Sequence, residues 1–222
     1  MSQQTFPDRA TAGRDLAAQL RRHVTEAPVN PLVLALPRGG LPVAAEIARE
    51  LGGELDVAIV RKIGAPGQPE FGVGAVAEDG PPVFDTRSLG YLGITEADLY
   101  STVEKERAEV ARRIQHYREG RPISRVRDRA VIVVDDGVAT GVTARAALRW
   151  LREHQPRRLV FAAPVCSPSA HDVLSGQADA VVCLSTPTDF QAVGQFYVDF
   201  AQLTDEQVLR ILAHAREQVA DR

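Results

Sequence analysis

Two adjacent carboxylates, Asp135 and Asp136, follow the apolar run Val131 to Val134, and the stretch Gly137-Val138-Ala139-Thr140-Gly141-Val142-Thr143 comes directly after them. A short, wholly apolar run is expected as a strand buried on both faces. It delivers both acids to a strand end, where burial without partners is costly. Hydroxyls or a hydrated cation suit such a pair, and a bare phosphate is repelled by it. Ala139 to Thr143 is a small-residue turn carrying two hydroxyls at a helix start. Backbone N–H groups and the helix dipole favour an anion there, typically a phosphate. A diol-binding acid pair one turn from a phosphate nest describes a site for a ribose 5-phosphate. Taken singly, Asp135-Asp136 would be an ordinary strand end and Thr140 an ordinary cap; their order argues for the site.

Other segments offer compatible chemistry. Pro37-Arg38-Gly39-Gly40 supplies one guanidinium and glycines that let backbone approach a phosphate closely. It occurs once, flanked by Leu and Pro, unlike a repeated RNA-binding box. Arg61-Lys62 places two cations on opposite faces of a strand, although such a pair is ordinarily solvent-facing. Several decoys fail on context. Gly72 to Ala77 spells the dinucleotide pattern, yet Pro81-Pro82 follow and no helix opens. Ser169, His171 and Asp172 lie too close in one expected helix to form a triad. No Walker A sequence occurs, and the five His with Cys166 and Cys183 show no metal-ligand spacing. Both cysteines are expected as buried thiols.

The elements that must position these residues follow from hydrophobic period. Leu16, Leu20 and Val24 mark an N-terminal helix over about 10–26. Leu32 to Leu36 and Val57 to Val60 read as buried strands flanking a helix from Leu41 to Leu51, with Arg61-Lys62 closing the second strand. Gly64 to Gly80, with five glycines and two prolines, suits a mobile loop leading into a short extended piece. Thr95 to Arg118 reads as one long helix, capped by Thr95 with Asp98 and striped by Leu99, Val103, Val110, Ile114 and Tyr117. Strands at Val131 to Val134, Leu159 to Ala163 and Ala180 to Leu184 alternate with helices at Thr143 to Glu153, after Ser167-Pro168, and at Thr204 to Val219. Such alternation implies an α/β fold with a doubly wound, mainly parallel sheet, whose ligands bind at the carboxyl ends of the strands.

Composition sets the outer bounds. The chain has 222 residues and a net charge of −3, which removes the electrostatic footprint of a generic nucleic-acid binder. No apolar run approaches the roughly 18 residues of a membrane span. No signal peptide is visible at Met1 to Arg9, and two cysteines make no disulfide framework. A cytoplasmic location without a membrane partner is the expectation.

Val131 to Thr143 resembles the phosphoribosyl-pyrophosphate (PRPP) motif of the type I phosphoribosyltransferases: four apolar residues, two acids and a Thr-Gly-x-Thr loop. The order of elements is similar from about Leu32 to about Phe200, and the sequence is most similar to bacterial phosphoribosyltransferases of unassigned substrate. The resemblance implies a Rossmann-like core over 32–83 and 130–200 of one domain, with a small hood, a flexible lid at 64–80, a helical insert at 84–129 and a C-terminal helix at 204–219. Asp135 and Asp136 would hold the ribose hydroxyls, with Mg²⁺ carried nearby by the PRPP. Gly137, Val138, Ala139, Thr140, Gly141, Val142 and Thr143 would cradle the 5-phosphate. Arg38, Gly39 and Gly40 would form the pyrophosphate loop, which in the family often holds a non-proline cis peptide. Arg61, Lys62 and Asp136 would be the catalytic residues.

The implied reaction transfers the phosphoribosyl group from PRPP to a small nitrogenous base and releases pyrophosphate, in a salvage role and from a homodimer. The base itself is read two ways. Ala139 stands where the 6-oxopurine enzymes carry an Asp, which favours the adenine, xanthine and uracil branches. Asp189 to Phe200 resembles the 6-oxopurine pocket segment, with spacing longer by a residue, and would place Phe190 and Val193 at the base. Phe190, Phe196 and Tyr197 read equally as packing for the C-terminal helix. A catalytically silent PRPP or nucleotide sensor, and an enzyme acting on another ribose phosphate, are the rival functions.

Overall fold

The computed structural model describes residues 5–23 and 30–220. The chain runs α1 (Arg9–His23), β1 (Leu32–Ala35), α2 (Gly40–Leu51), β2 (Glu54–Val57), β3 (Arg61–Ala65), β4 (Gln68–Val76), β5 (Val83–Phe84), α3 (Thr86–Leu92), α4 (Tyr100–Arg118), β6 (Ala130–Val134), α5 (Val142–Glu153), β7 (Arg158–Val165), α6 (Pro168–Ser175), β8 (Ala180–Ser185) and α7 (Asp205–Ala220). Alternation along the strands decides what covers each face. Val33, Ala35, Ile132, Val134, Val160 and Ala162 point to a cluster completed by α1, α2, α7 and part of α4. Leu34, Val131, Val133, Leu159, Phe161 and Ala163 point to the opposite cluster, which α5 and α6 cover. Each such buried Val, Leu, Ile or Phe side chain contributes about 1.5–3 kcal/mol of transfer free energy, so a sheet apolar on both faces is stable only between two helical layers.

The five strands are parallel, in the order β2-β1-β6-β7-β8. The order reverses between β1 and β6, which makes their carboxyl ends the topological switch point. A second sheet, β3-β4-β5, is antiparallel and packs Ile63, Ala65 and Val73 against Leu89, Leu99 and Val103. The expected doubly wound fold with a small hood is the fold observed. Among the described residues no helix is long and apolar enough to cross a membrane.

Several local expectations need correction. The second strand covers Glu54–Val57, not Val57 to Val60. The Ala58 N–H still reaches Ala35 O, but the Ile59 N–H turns to the Glu78 carboxylate at 2.9 Å, which takes the chain out of the sheet. Arg61 and Lys62 therefore open β3 of the small sheet and do not close a parallel strand. Gly64 to Gly80 is mostly the β3–β4 hairpin, because Val73, Ala75 and Val76 are buried in three different apolar clusters. The Thr95 N–H and hydroxyl donate to Asp98 Oδ2 at 2.8 and 2.7 Å, but no side chain caps the helix: a 3₁₀ turn at Ala97–Leu99 follows, and α4 starts only at Tyr100. Cys166 and Cys183 are joined in a disulfide and are not thiols. Val24 and the end of the expected first helix lie outside the described residues.

Candidate functional site

The acid pair emerges at the switch point. β6 is fully buried, and Asp135 and Asp136 follow it directly, half-buried and buried respectively. Burial, reinforced by the neighbouring Asp136 charge, pushes the Asp135 carboxyl well above its ordinary range, while Arg9 pulls the other way. The Asp136 N–H donates to Asp135 Oδ1 at 2.9 Å. Gly39 lies so close that a Cβ there would stand 2.0 Å from Asp136 Oδ2, and one on Gly40 would stand 2.5 Å from Val134 O. The two glycines are thus required by the approach of one strand-end loop to the other. The Pro37–Arg38 peptide bond is cis. Arg38 itself is half-buried and runs to Asp205, 3.8 Å away at the start of α7.

Residues 137–143 leave the acid pair across the neighbouring strand. The Val138 N–H donates to Val165 O at 2.9 Å, the Ser167 N–H to Val138 O at 2.8 Å, and Ser167 Oγ to Ala139 O at 2.6 Å. Pinned there, Ala139 and Thr140 form an exposed tip. Gly141 takes the left-handed conformation (φ 73°) that turns the chain into α5, whose first residues are Val142 and Thr143. The N-terminal end of α5 therefore opens behind the tip, an arrangement that favours an anion.

Sequence reasoning missed Arg9 and Tyr197 here, and it named Val193 for the base without its contact to the acid loop. Arg9 Nε donates to Asp136 Oδ2 at 2.8 Å, with both side chains nearly buried. Tyr197 Oη donates to Asp136 O at 2.6 Å; burial and the adjacent Asp136 raise that phenol and keep it a donor. Val193 packs on Gly137, where a Cβ would meet its Cγ1 at 2.4 Å. One of the three carried a clue: Arg9 is a cation at the first residue of a helix, which opposes the macrodipole and calls for an acidic partner elsewhere.

The remaining candidates sit apart from this cluster or are engaged otherwise. Phe190 tilts on Phe196, with ring centroids 5.2 Å apart, in an aromatic cluster with Phe6 and Tyr197. Arg61 Nε donates to Glu106 of α4 at 2.8 Å. Arg61 and Lys62, with Lys105, line an open recess of about 500 Å³ between the hairpin and α4. Among the described residues no three His, Cys, Asp or Glu gather as a metal site.

A doubly wound parallel sheet with an acid pair and a small-residue loop at its switch point defines the type I phosphoribosyltransferase fold. The chain belongs to the phosphoribosyl transferase domain family, which it matches over residues 4–201. It is 46% identical to the protein TT1426 from Thermus thermophilus, whose crystal structure superposes with a TM-score of 0.79 over 95% of this chain and 98% of that one. It is 41% identical, over 97% of its length, to the Mycobacterium tuberculosis protein named "Putative phosphoribosyl transferase Rv0571c". The chain covers 48% of that relative and so spans about half the length of the curated proteins it matches.

Proposed function

We propose that the chain transfers the phosphoribosyl group of PRPP to a nitrogenous base in a salvage-type reaction. The observation that carries this reading is the convergence, at one switch point, of Asp135 and Asp136, the Gly39–Gly40 backbone and the α5 entry loop. The carboxylates accept the ribose hydroxyls, and the exposed Ala139–Thr140 tip takes the 5-phosphate. In the reaction the bond from the anomeric carbon to pyrophosphate breaks, its electron pair leaves with the pyrophosphate, and a base nitrogen bonds to that carbon. The displaced base proton leaves to solvent or to the pyrophosphate. An oxocarbenium-like transition state asks the protein to stabilise a departing anion and exclude water. Arg38, Arg61 and Lys62 are the cations proposed for the leaving group, and the hairpin that carries the last two is the proposed cover.

The donor set fits magnesium in one manner. Two carboxylates, one already shared with Arg9, suit an ion that arrives on substrate oxygens better than a resident one. Held beside Asp135 and Asp136, such an ion would supply charge neutralisation at the pyrophosphate. The base is proposed to enter beside Val193 and Phe190, where Ala139 offers no carboxylate to recognise it.

Calorimetry with PRPP and magnesium, followed by a panel of bases with pyrophosphate detection, tests the reading. Binding of PRPP and release of pyrophosphate with at least one base are expected. Absence of PRPP binding overturns the reading, and binding without release for any base favours a sensor on the same fold.

A further inference from the structure

The Arg9–Asp136 contact joins the start of the chain to the centre of the site, 127 residues away in sequence. The side chains are 11% and 13% exposed, so each charge depends on the other for compensation. The segment before Arg9 is held in register: the Phe6 N–H donates to Phe196 O at 2.8 Å, the Val198 N–H to Phe6 O at 2.9 Å, and the Asp199 N–H to Pro7 O at 2.9 Å. Asp8 begins the helix by accepting the Thr11 N–H through Oδ1 at 2.6 Å. The guanidinium is then clamped beyond the carboxylate, with Nη1 donating to Ala201 O at 2.9 Å and Cζ lying 3.9 Å from the Phe200 ring centroid. These contacts aim Nε at Asp136 Oδ2.

Asp136 is accordingly fixed from three directions. Gly39 abuts its carboxylate, Tyr197 holds its carbonyl, and Arg9 takes one carboxylate oxygen and so sets the plane of the group. Two of those three supports come from Arg9 and from the Phe196–Ala201 stretch on which the N-terminal segment docks. We propose that Arg9 is a positioning residue of the site: it orients the Asp136 carboxylate for the ribose hydroxyls, which makes the N-terminal segment part of the binding machinery. This rests on the reading that Asp136 takes those hydroxyls.

A double-mutant cycle with PRPP and magnesium tests the proposal, using Arg9→Ala, Arg9→Lys, Asp136→Asn and Arg9→Ala with Asp136→Asn. Arg9→Ala is expected to weaken PRPP binding about tenfold or more. Arg9→Lys restores part of that loss, because an ammonium can still reach the carboxylate. On the Asp136→Asn background, Arg9→Ala costs less than about twofold, since the group it positions is already lost. In turnover the loss appears in KM for PRPP, while KM for the base is little changed. Arg9→Gln runs the same cycle if the Ala variant does not fold.

Unchanged PRPP affinity in Arg9→Ala overturns the proposal, as does a loss equally large on the Asn background. A tighter PRPP complex would make Arg9 a competitor for Asp136 and also overturns it. These outcomes leave the proposed function intact, whereas a wild-type chain that fails to bind PRPP overturns the function itself.

Discussion

The strand-end loops after β1 and β6 and the β3–β4 hairpin both set glycines beside charged side chains, yet they are held in opposite ways. The first lie on a sheet buried from both sides, and Asp136 is fixed by Gly39, Tyr197 and Arg9. The second belongs to a separate three-stranded sheet that packs Ile63, Ala65 and Val73 into a small apolar cluster of its own while Ala75 and Val76 join the two main ones, and its Arg61 reaches out to Glu106 on α4. A pre-organised acid pair suits recognition of a fixed sugar geometry. Cations at a hairpin outside the parallel sheet, with its turn at 66–67 away from the main core, suit a part that closes after the substrate has bound. Affinity and turnover should therefore divide between the two regions.

The largest effect is expected at the acid pair. Asp135→Asn with Asp136→Asn removes the acceptors proposed for two ribose hydroxyls, each worth about 1.5–3 kcal/mol, and PRPP affinity should fall at least about a hundredfold. Calorimetry measures it, and retained affinity would place the sugar elsewhere. In the hairpin, Lys62→Ala should cost turnover about a hundredfold, the scale of losing one transition-state electrostatic contact, with PRPP affinity little changed. Steady-state kinetics beside calorimetry reads the split, and equal losses in both would erase the division between the regions.

The first region is far more legible in the sequence than the second. Asp135 to Thr143 is contiguous, so its burial, its acids and its helix start are all written in one stretch. Arg61 and Lys62 are misplaced by sequence because Val57 to Val60 is apolar enough to pass for a strand, whereas Glu78, 19 residues beyond Ile59, diverts the Ile59 N–H. Arg9 escapes notice for a similar reason: its partner lies across the whole fold. The disulfide depends on strand register, since β7 and β8 pair Ala163 with Cys183 and leave Cys166 just past that pair. Distance along the chain, rather than weakness of the interaction, divides what is legible from what is not.

That disulfide sharpens the comparison, because it braces only the first region. Cys166 bridges to Val138 of the loop after β6, and its bond to Cys183 closes a loop with a separation of 17 residues. Reduction should lower stability by about 3 kcal/mol on the chain-entropy scale, seen as a drop in the denaturant midpoint. A midpoint unmoved by reductant would show that the loop after β6 does not depend on the bond.

Smaller still, two glycine substitutions probe rigidity directly. In Gly39→Ala the new methyl meets the fixed Asp136 carboxylate, and crowding on the scale of about 1–3 kcal/mol should weaken PRPP binding about tenfold. In Gly72→Ala the methyl would stand 2.9 Å from Lys62 Cδ, on a flexible stem that can give way, so PRPP affinity should hold. Equal losses in the two variants would mean that the hairpin is as rigidly built as the strand ends.

The smallest effect concerns the two arginine partners, Asp205 for Arg38 and Glu106 for Arg61. Asp205 accepts from Tyr117 Oη at 2.5 Å, and that bond, helped by Arg38 and His116, holds its carboxyl below the ordinary range. A depressed folded value means that the stabilisation is fully present above the unfolded value near 4. It is then lost as pH falls through the folded value. Screening by solvent keeps the contribution below about 1 kcal/mol. Asp205→Asn should therefore flatten the acid limb of stability below about pH 4 by lowering the neutral plateau by that same amount, under about 1 kcal/mol, while the two proteins converge in acid, as chemical denaturation along a pH series would record. An acid limb unchanged by Asp205→Asn would mean that neither the Tyr117 bond nor the Arg38 tie draws stability from the Asp205 charge, and that the buried contacts at Asp136 hold the switch-point region without them.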